Sequence, residues 1–435
     1  MTFDRSRALQ ERFHRLIPGG AHTYAKGDDQ FPEFMPPYIV RGKGCRVWDA
    51  DGNEFIEYGM GLRSVTLGHA HPRVTEAAWR QMQLGTNFIR PATIELEAAE
   101  LLQSFIASAA MVKFAKDGSD ANGGAVRVSR AFTGRDLVAI CANHPFFSTD
   151  DWFIGTTPMA AGIPGAVREL TVRFRYNDID SVRALFAEHP GRIACLIMEP
   201  EKEDPPRDNF LHEVQRLCRE NGTVFVLDEM ITGFRWDNGG GQKYHGITPD
   251  LSTFGKGMGN GFAISALVGR RDILELGGLQ HDRDRVFLIS TTHGAETHAL
   301  AAMMATLAVY REEPVVATLW SRGERLAGGL RRAAAEYGLQ DNVPILGRPC
   351  CLVFGSRDGD GKPSQPFRTL LLQEIMKRGV LASSLVVSYA HSEEDIDRTV
   401  EAFHGAFAVY RKALDEGIGK YLVGRAVKPV MRTKN

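Results

Sequence analysis

Residues 223–235 read TVFVLDEMITGFR. Five β-branched or apolar residues run without a break up to Asp228. A run this short and this uniformly apolar reads as a strand covered on both faces, the kind found inside parallel sheets. A carboxylate at the carboxyl end of such a strand is costly to desolvate unless something there compensates it. A cationic ring nitrogen would serve: at ~4 Å and an effective dielectric near 20 the pair gains roughly 4 kcal/mol, about three pKa units of support for a protonated ring. A plain strand-end cap, bonded to loop amides, is the alternative reading.

Working outward, LVAIC (137–141), IACLIM (193–198) and ISALVG (264–269) have the same texture, and TIELEAAELLQSF and GGAVRVSRAF between such runs have helical spacing. Strand runs alternating with helices imply an α/β domain with a mostly parallel sheet flanked by helices, whose functional residues gather at the strands' carboxyl ends. The N-terminal segment, 1–91, holds CRVWDADGNEFIEY, two alternating arms around Asp51-Gly52, a hairpin signal. A calcium loop in DADGNE is excluded because Glu54 occupies the position that needs glycine. Residues 92–312 form the large α/β domain. Residues 313–435 carry a long helical stretch from Pro314 to Tyr337, a helix over 367–378 and another over 392–414, and complete a small α+β domain with the N-terminal part. The tail GRAVKPVMRTKN reads as a flexible, solvated end.

The composition narrows the function. In 435 residues, 52 basic side chains balance 53 acidic ones, which leaves no net field toward nucleic acid or anionic lipid. No apolar stretch has the length of a membrane span or a signal peptide, so a cytoplasmic protein is expected. The six cysteines lack a C-x-x-C spacing and read as free buried thiols.

Lys256 lies in TFGKGMGNGFAISA (253–266), where every second residue from Gly255 to Gly261 is glycine. Gly257 after the lysine excludes a phosphate loop of the G-x-x-x-x-G-K-[ST] kind, and Asn260 and Phe262 break both registers of G-x-G-x-x-G. What remains is a lysine on a turn that permits close backbone approach to a flat ligand, or a solvated lysine on a flexible turn. In KDGSDANGGAVRVSRAFTGRD (116–136), Gly118 and Ser119 open a helical pattern whose unpaired amides suit a phosphate, although Asp117, Ser119 and Asp120 are equally good helix caps. In FLISTTHGAETHALAA (287–302), Thr291 and Thr292 offer hydroxyls between a strand-like run and a helix.

Taken in order, these features resemble the fold-type I pyridoxal-phosphate enzymes, specifically the class III aminotransferases and their glutamate-1-semialdehyde aminomutase branch. The likeness spans nearly the whole chain through PGGAHTYAK, VWDADGNEFIEY, LGHAHPRV, SRAFTGRD, GIPGAV, IMEP, LDEMITGFR, TPDLSTFGKGMGNGF and AHSEEDIDRTVEAF. It implies pyridoxal 5′-phosphate as cofactor, Lys256 as the residue that forms the Schiff base and then moves a proton, and Asp228 as partner of the ring nitrogen. It further implies Met230 packed on one ring face, Gly118 and Ser119 as phosphate cradle, and Thr292 reaching the cofactor of the other subunit in a homodimer. Glycines around Lys256 would give the lysine clearance to swing.

The departures bear on substrate. Where the family shows Tyr-His-Gly this chain has Asn143-His144-Pro145-Phe146, leaving His144 or Phe146 to stack on the cofactor. Lys26 stands where the aminomutases place an arginine for the substrate carboxylate, a point charge without the bidentate fork. Asp204, within the acidic EPEKEDPP loop, replaces an asparagine, and an acidic substrate is expected to meet poor electrostatics there. The resulting expectation is an aminotransferase that passes an amino group from an amino acid to an aldehyde or ketone, such as a sugar-like intermediate, with an intramolecular aminomutase as the alternative.

Overall fold

The computed structural model describes residues 1–142 and 146–434, and the chain divides into two compact units. One comprises Met1–His71 and the chain from Ala317 onward; the other is Pro72–Val316. The N-terminal part therefore hands over at His71 rather than at residue 91. The physical reason is helix Pro72–Met82, which buries Val74 and Ala78 and packs on helix Thr297–Glu312 inside the larger unit.

The larger unit is built on a sheet of seven strands: β1 (Met111–Ala115), β2 (Leu137–Cys141), β3 (Thr171–Phe174), β4 (Ile193–Met198), β5 (Val224–Asp228), β6 (Leu251–Phe254) and β7 (Ser265–Gly269). Their order across the sheet is β1-β7-β6-β5-β4-β2-β3. All neighbours pair in parallel except β7, which runs antiparallel to both β1 and β6. Two cores flank the sheet because alternate residues of each strand point to opposite faces. Val224 and Val226 of β5 face one core with Ala121, Ala125 and Val128 of helix Gly118–Thr133, whereas Phe225 and Leu227 face the other with Val214 and Leu217 of helix Phe210–Glu220. The same alternation carries Asp228, two residues beyond Val226, to the face covered by helix Gly118–Thr133.

In the smaller unit the hairpin forms as expected, Arg46–Asp49 pairing antiparallel with Glu54–Glu57, and Val380–Leu381 adds in parallel. Helix Glu393–Glu416 starts on a capping box between Ser392 and Asp395, and contributes Phe403, Phe407 and Tyr410 to the core. The tail is not a loose end. Val427 is buried with its N–H on Thr369 Oγ1 at 2.8 Å, and Arg432 pairs with Asp29 at 2.7 Å. One apolar side chain and a few specific partners tie down a segment whose basic composition alone suggests solvent. Among the described residues no helix is long and apolar enough to cross a membrane.

Candidate active site

Asp228 ends β5 and is only 3% exposed. Its Oδ1 accepts from the Met230 amide and its Oδ2 from Asn122 Nδ2, each at 2.8 Å. Burial pushes the carboxyl above its ordinary value, while the Lys256 charge and these two hydrogen bonds pull the other way without overcoming it.

Lys256 follows Gly255 directly after β6 and opens a 3-10 turn, Lys256–Gly259. Its φ of 45° lies in the left-handed region, which costs a non-glycine residue about 1–2 kcal/mol and marks a side chain held where the chain would not otherwise place it. Gly255 and Gly259 admit close neighbours. A Cβ on Gly255 would lie 2.7 Å from Met230 Sδ, one on Gly118 would lie 3.2 Å from it, and one on Gly259 would lie 2.7 Å from Ile264 Cγ2. Met230, itself buried, therefore rests against the backbone of both the lysine turn and the start of helix Gly118–Thr133, and a side chain at Gly255 would displace it.

That helix begins with Asp117 as cap, its Oδ1 taking the amides of Ser119 at 2.8 Å and Asp120 at 3.1 Å. The helix end already holds an anion, the chain's own exposed carboxylate. Ser265 Oγ donates to Asp117 O at 2.6 Å and fastens the cap to β7. Ser119 Oγ accepts from Thr149 N at 3.0 Å. Ser119, Arg127 and Thr291 line one cavity of about 150 Å³. Thr292 is exposed beside it in sequence, its carbonyl accepting from Asn87 Nδ2 at 2.9 Å. The segment is moored by a Lys116–Glu296 ion pair at 2.5 Å, and the Lys116 hydrogen bond holds the Glu296 carboxyl below its usual range.

The remaining candidates fall elsewhere. Asn143 and His144 lie outside the described residues. Phe146 is exposed, its ring edge-on to Phe153 at 5.6 Å. Lys26 belongs to the smaller unit, exposed at the end of the 3-10 turn Tyr24–Lys26.

Two buried residues escaped the sequence reading. Glu229 points away from Asp228's partners and accepts from the amides of Gly241 and Gln242, both at 2.7 Å, and from the Thr232 hydroxyl, so it anchors the loop after β5 to helix Gly240–His245. Asn122, fully buried, bonds Asp228, the Phe147 carbonyl and Thr253. An asparagine in a helix interior, among alanines and glycines, was the available signal: its side chain competes with helix formation and needs another reason to be there.

Residues 24–407 match the family described as Aminotransferase class-III. This chain belongs to the class-III aminotransferases. It is 34% identical to a glutamate-1-semialdehyde 2,1-aminomutase of Acetivibrio thermocellus over 94% of this chain and 99% of that protein, and 31% identical to the Archaeoglobus fulgidus protein of the same name over 92% and 99%. Among solved structures, the pyridoxal-phosphate internal aldimine form of a Sphingopyxis FumI protein matches with a TM-score of 0.85 at 28% identity, covering 95% of this chain and 98% of that one. An omega-transaminase from Sphaerobacter thermophilus matches with a TM-score of 0.82 at 25% identity, covering 93% and 97%. Pyridoxal 5′-phosphate is the cofactor of this class-III chain, and the buried Asp228 carboxylate, on which the Lys256 charge acts, fits it.

Proposed function

We propose that this class-III aminotransferase relocates an amino group within one small molecule, as an aminomutase of the glutamate-1-semialdehyde type, with Lys256 and Asp228 as its catalytic pair. The observation that carries the chemistry is Asp228, buried at a strand end and acted on by the Lys256 charge. The reaction type is supported by the likeness to the Acetivibrio aminomutase along almost the whole of both chains. The relatives lend nothing to a sugar-like acceptor.

When bound, pyridoxal phosphate supplies an aldehyde for amine exchange and a ring that draws electrons from the substrate carbon. Lys256 Nζ takes and returns the proton at the carbon that bears nitrogen. Asp228 holds the proton on the ring nitrogen. Met230 would pack against one face of the ring. Gly118 and Ser119 would hold the phosphate. The carboxylates of the acidic loop have partners within the chain. Glu201 pairs with His245 at 3.0 Å and accepts from Trp236 Nε1, Glu203 pairs with Lys202 at 3.4 Å, and Asp204 faces Arg207 at 3.9 Å.

Thr292 completes the phosphate site of a second copy in a homodimer. Supporting this, its segment bonds Asn87, which lies in a stretch with Leu84, Phe88 and Ile89 exposed, apolar surface of the kind a partner covers. Size-exclusion chromatography should return the mass of two chains; a fully active monomer would rule this out.

Holoprotein given glutamate 1-semialdehyde without a second amine should yield the isomer whose nitrogen has moved from carbon 2 to carbon 1, read by chromatography. An intermolecular transaminase is the second reading, favoured by the omega-transaminase match. Unchanged semialdehyde, together with conversion of the cofactor's absorbance by glutamate alone, would decide for it.

A further inference from the structure

Asn122 sits at the centre of a closed set of hydrogen bonds. Its Nδ2 donates to Asp228 Oδ2 at 2.8 Å and to the Phe147 carbonyl at 2.7 Å, and its Oδ1 accepts from Thr253 Oγ1 at 2.7 Å. These partners fix the amide end for end. Two acceptors crowd one end, where only the NH2 group satisfies both, and a hydroxyl donor meets the other. Thr253 lies on β6, paired directly with Asp228 in the sheet, so the element that carries Lys256 three residues later also sets the orientation of Asn122.

We propose that Asn122 is a positioning residue for Asp228: oriented by Thr253, it holds the carboxylate ionised and turned toward the ring nitrogen of the cofactor. The inference rests on the reading of Asp228 as the ring-nitrogen partner. With Oδ1 held by the Met230 amide and Oδ2 by Asn122, the carboxylate cannot rotate without breaking a bond at each oxygen, and each oxygen retains a second lone-pair direction for another donor. Burial opposes the charge on Asp228, and Asn122 is among the groups that favour it. A carboxylate that loses this donor becomes a better base and draws the proton from the ring toward itself. A purely structural asparagine would be content with Phe147 and Thr253; the bond to the buried carboxylate is the one such a role leaves unexplained.

The experiment compares holoprotein of wild type, Asp228→Asn, Asn122→Leu and Thr253→Val by titrating the cofactor's visible absorbance with pH and by measuring retention of pyridoxal phosphate on dilution. Asn122→Leu keeps the branched shape, with somewhat more bulk, and removes both donor and acceptor; Thr253→Val removes only the hydroxyl that orients the amide, and serves if the leucine variant does not fold. The proposal expects the absorbance midpoint of both to move in the same sense as in Asp228→Asn but by less, about one pH unit for Asn122→Leu, a tenfold change in the protonation equilibrium. Cofactor retention should fall about tenfold with it, the effect of one hydrogen bond to a charged group. Midpoints that superimpose on wild type while Asp228→Asn moves overturn the role of Asn122. A midpoint unmoved in Asp228→Asn itself overturns the ring-nitrogen reading, and the inference with it.

Discussion

Two buried aspartates, one in each unit, face the same problem and solve it differently. Asp395, 6% exposed in the first turn of helix Glu393–Glu416, accepts from Ser392 N at 3.0 Å, Ser392 Oγ at 2.8 Å and Cys45 Sγ at 3.3 Å, and pairs with Arg46 at 2.5 Å. Burial raises its pKa, but these partners outweigh burial and hold the carboxyl below its ordinary value. Cys45 bears part of the cost, its thiol pushed up to about 12 by burial and by the neighbouring carboxylate. Asp228 accepts from an amide side chain and a backbone amide, neither of them charged, and its carboxyl stays above its ordinary value. A carboxylate satisfied from within the chain is a structural feature. A carboxyl that burial holds above its ordinary value is a candidate for compensation by a ligand, although Glu229, raised in the same way, is met by two amides and a hydroxyl of the chain.

The sharpest way to break that contrast is on the open side. Lys256→Ala should lower amino-group transfer by about a thousandfold or more, the scale for losing a positioned acid–base group, and should abolish the visible absorbance of bound cofactor. A variant that keeps near-normal turnover would remove Lys256 from the mechanism.

Replacing each aspartate by asparagine should separate the two roles. Asp228→Asn should cost about a hundredfold in turnover, since the charge facing the ring is lost. In cofactor-free protein the same change removes a buried, under-compensated charge but turns an amide NH2 toward one of two donors, Met230 N or Asn122 Nδ2, so the melting temperature should stay within about 2 °C of wild type. Asp395→Asn should destabilise by about 3 kcal/mol because Arg46 and Cys45 lose their partner. Calorimetry of both variants checks this; an Asp228→Asn destabilised as far as Asp395→Asn would remove the contrast.

How much of this could be read from the sequence follows from what periodicity records. Strand runs and their terminal carboxylate were legible because burial on both faces leaves no polar residue except at the end, so β2, β4, β5 and β7 and the position of Asp228 were all visible. The purpose of Gly255 was not: a missing side chain looks the same whether it clears space or admits a neighbour, and the 2.7 Å that a Gly255 Cβ would leave to Met230 Sδ decides for the neighbour there. Asn122 was hidden for a related reason. Its partners come from residues 147, 228 and 253, and no local pattern encodes contacts that the sheet brings together.

The pH dependence of cofactor-free stability gives a finer test. A carboxyl raised on folding contributes stability below its unfolded value and loses it as pH climbs through the folded value; a lowered one contributes above its unfolded value and loses it as pH falls through the folded one. The stability difference between wild type and Asp228→Asn should therefore open as pH rises above about 4 and then level off, with a slope of at most about 1.4 kcal/mol per unit. The difference for Asp395→Asn should close on acidification. His391 adds to the acid side, because burial depresses its pKa to about 4 and its stability is lost as pH falls from the ordinary imidazole range through that value. Denaturant midpoints measured across pH for the three proteins check the signs, and parallel curves would dissolve the contrast.

The smallest effect concerns what keeps the Asp228 side open. Gly255 has φ −179°, extended backbone that any residue adopts, so Gly255→Ala should carry no conformational strain and act chiefly through its contact with Met230 Sδ, with Ser265 Cβ at 3.3 Å as a lesser neighbour. The thioether must shift to relieve a 2.7 Å approach, and because methionine is flexible the cost should be about 1 kcal/mol, seen as a several-fold loss of cofactor retention. Shortening the neighbour should then repair the damage: in the Met230→Ala background Gly255→Ala should be nearly neutral, and the two substitutions should couple by about as much as the first one costs. Additive effects would show that the alanine acts on the lysine turn itself, and that the slot between Gly118, Gly255 and Met230 is not what holds this side of the carboxylate open to a ligand.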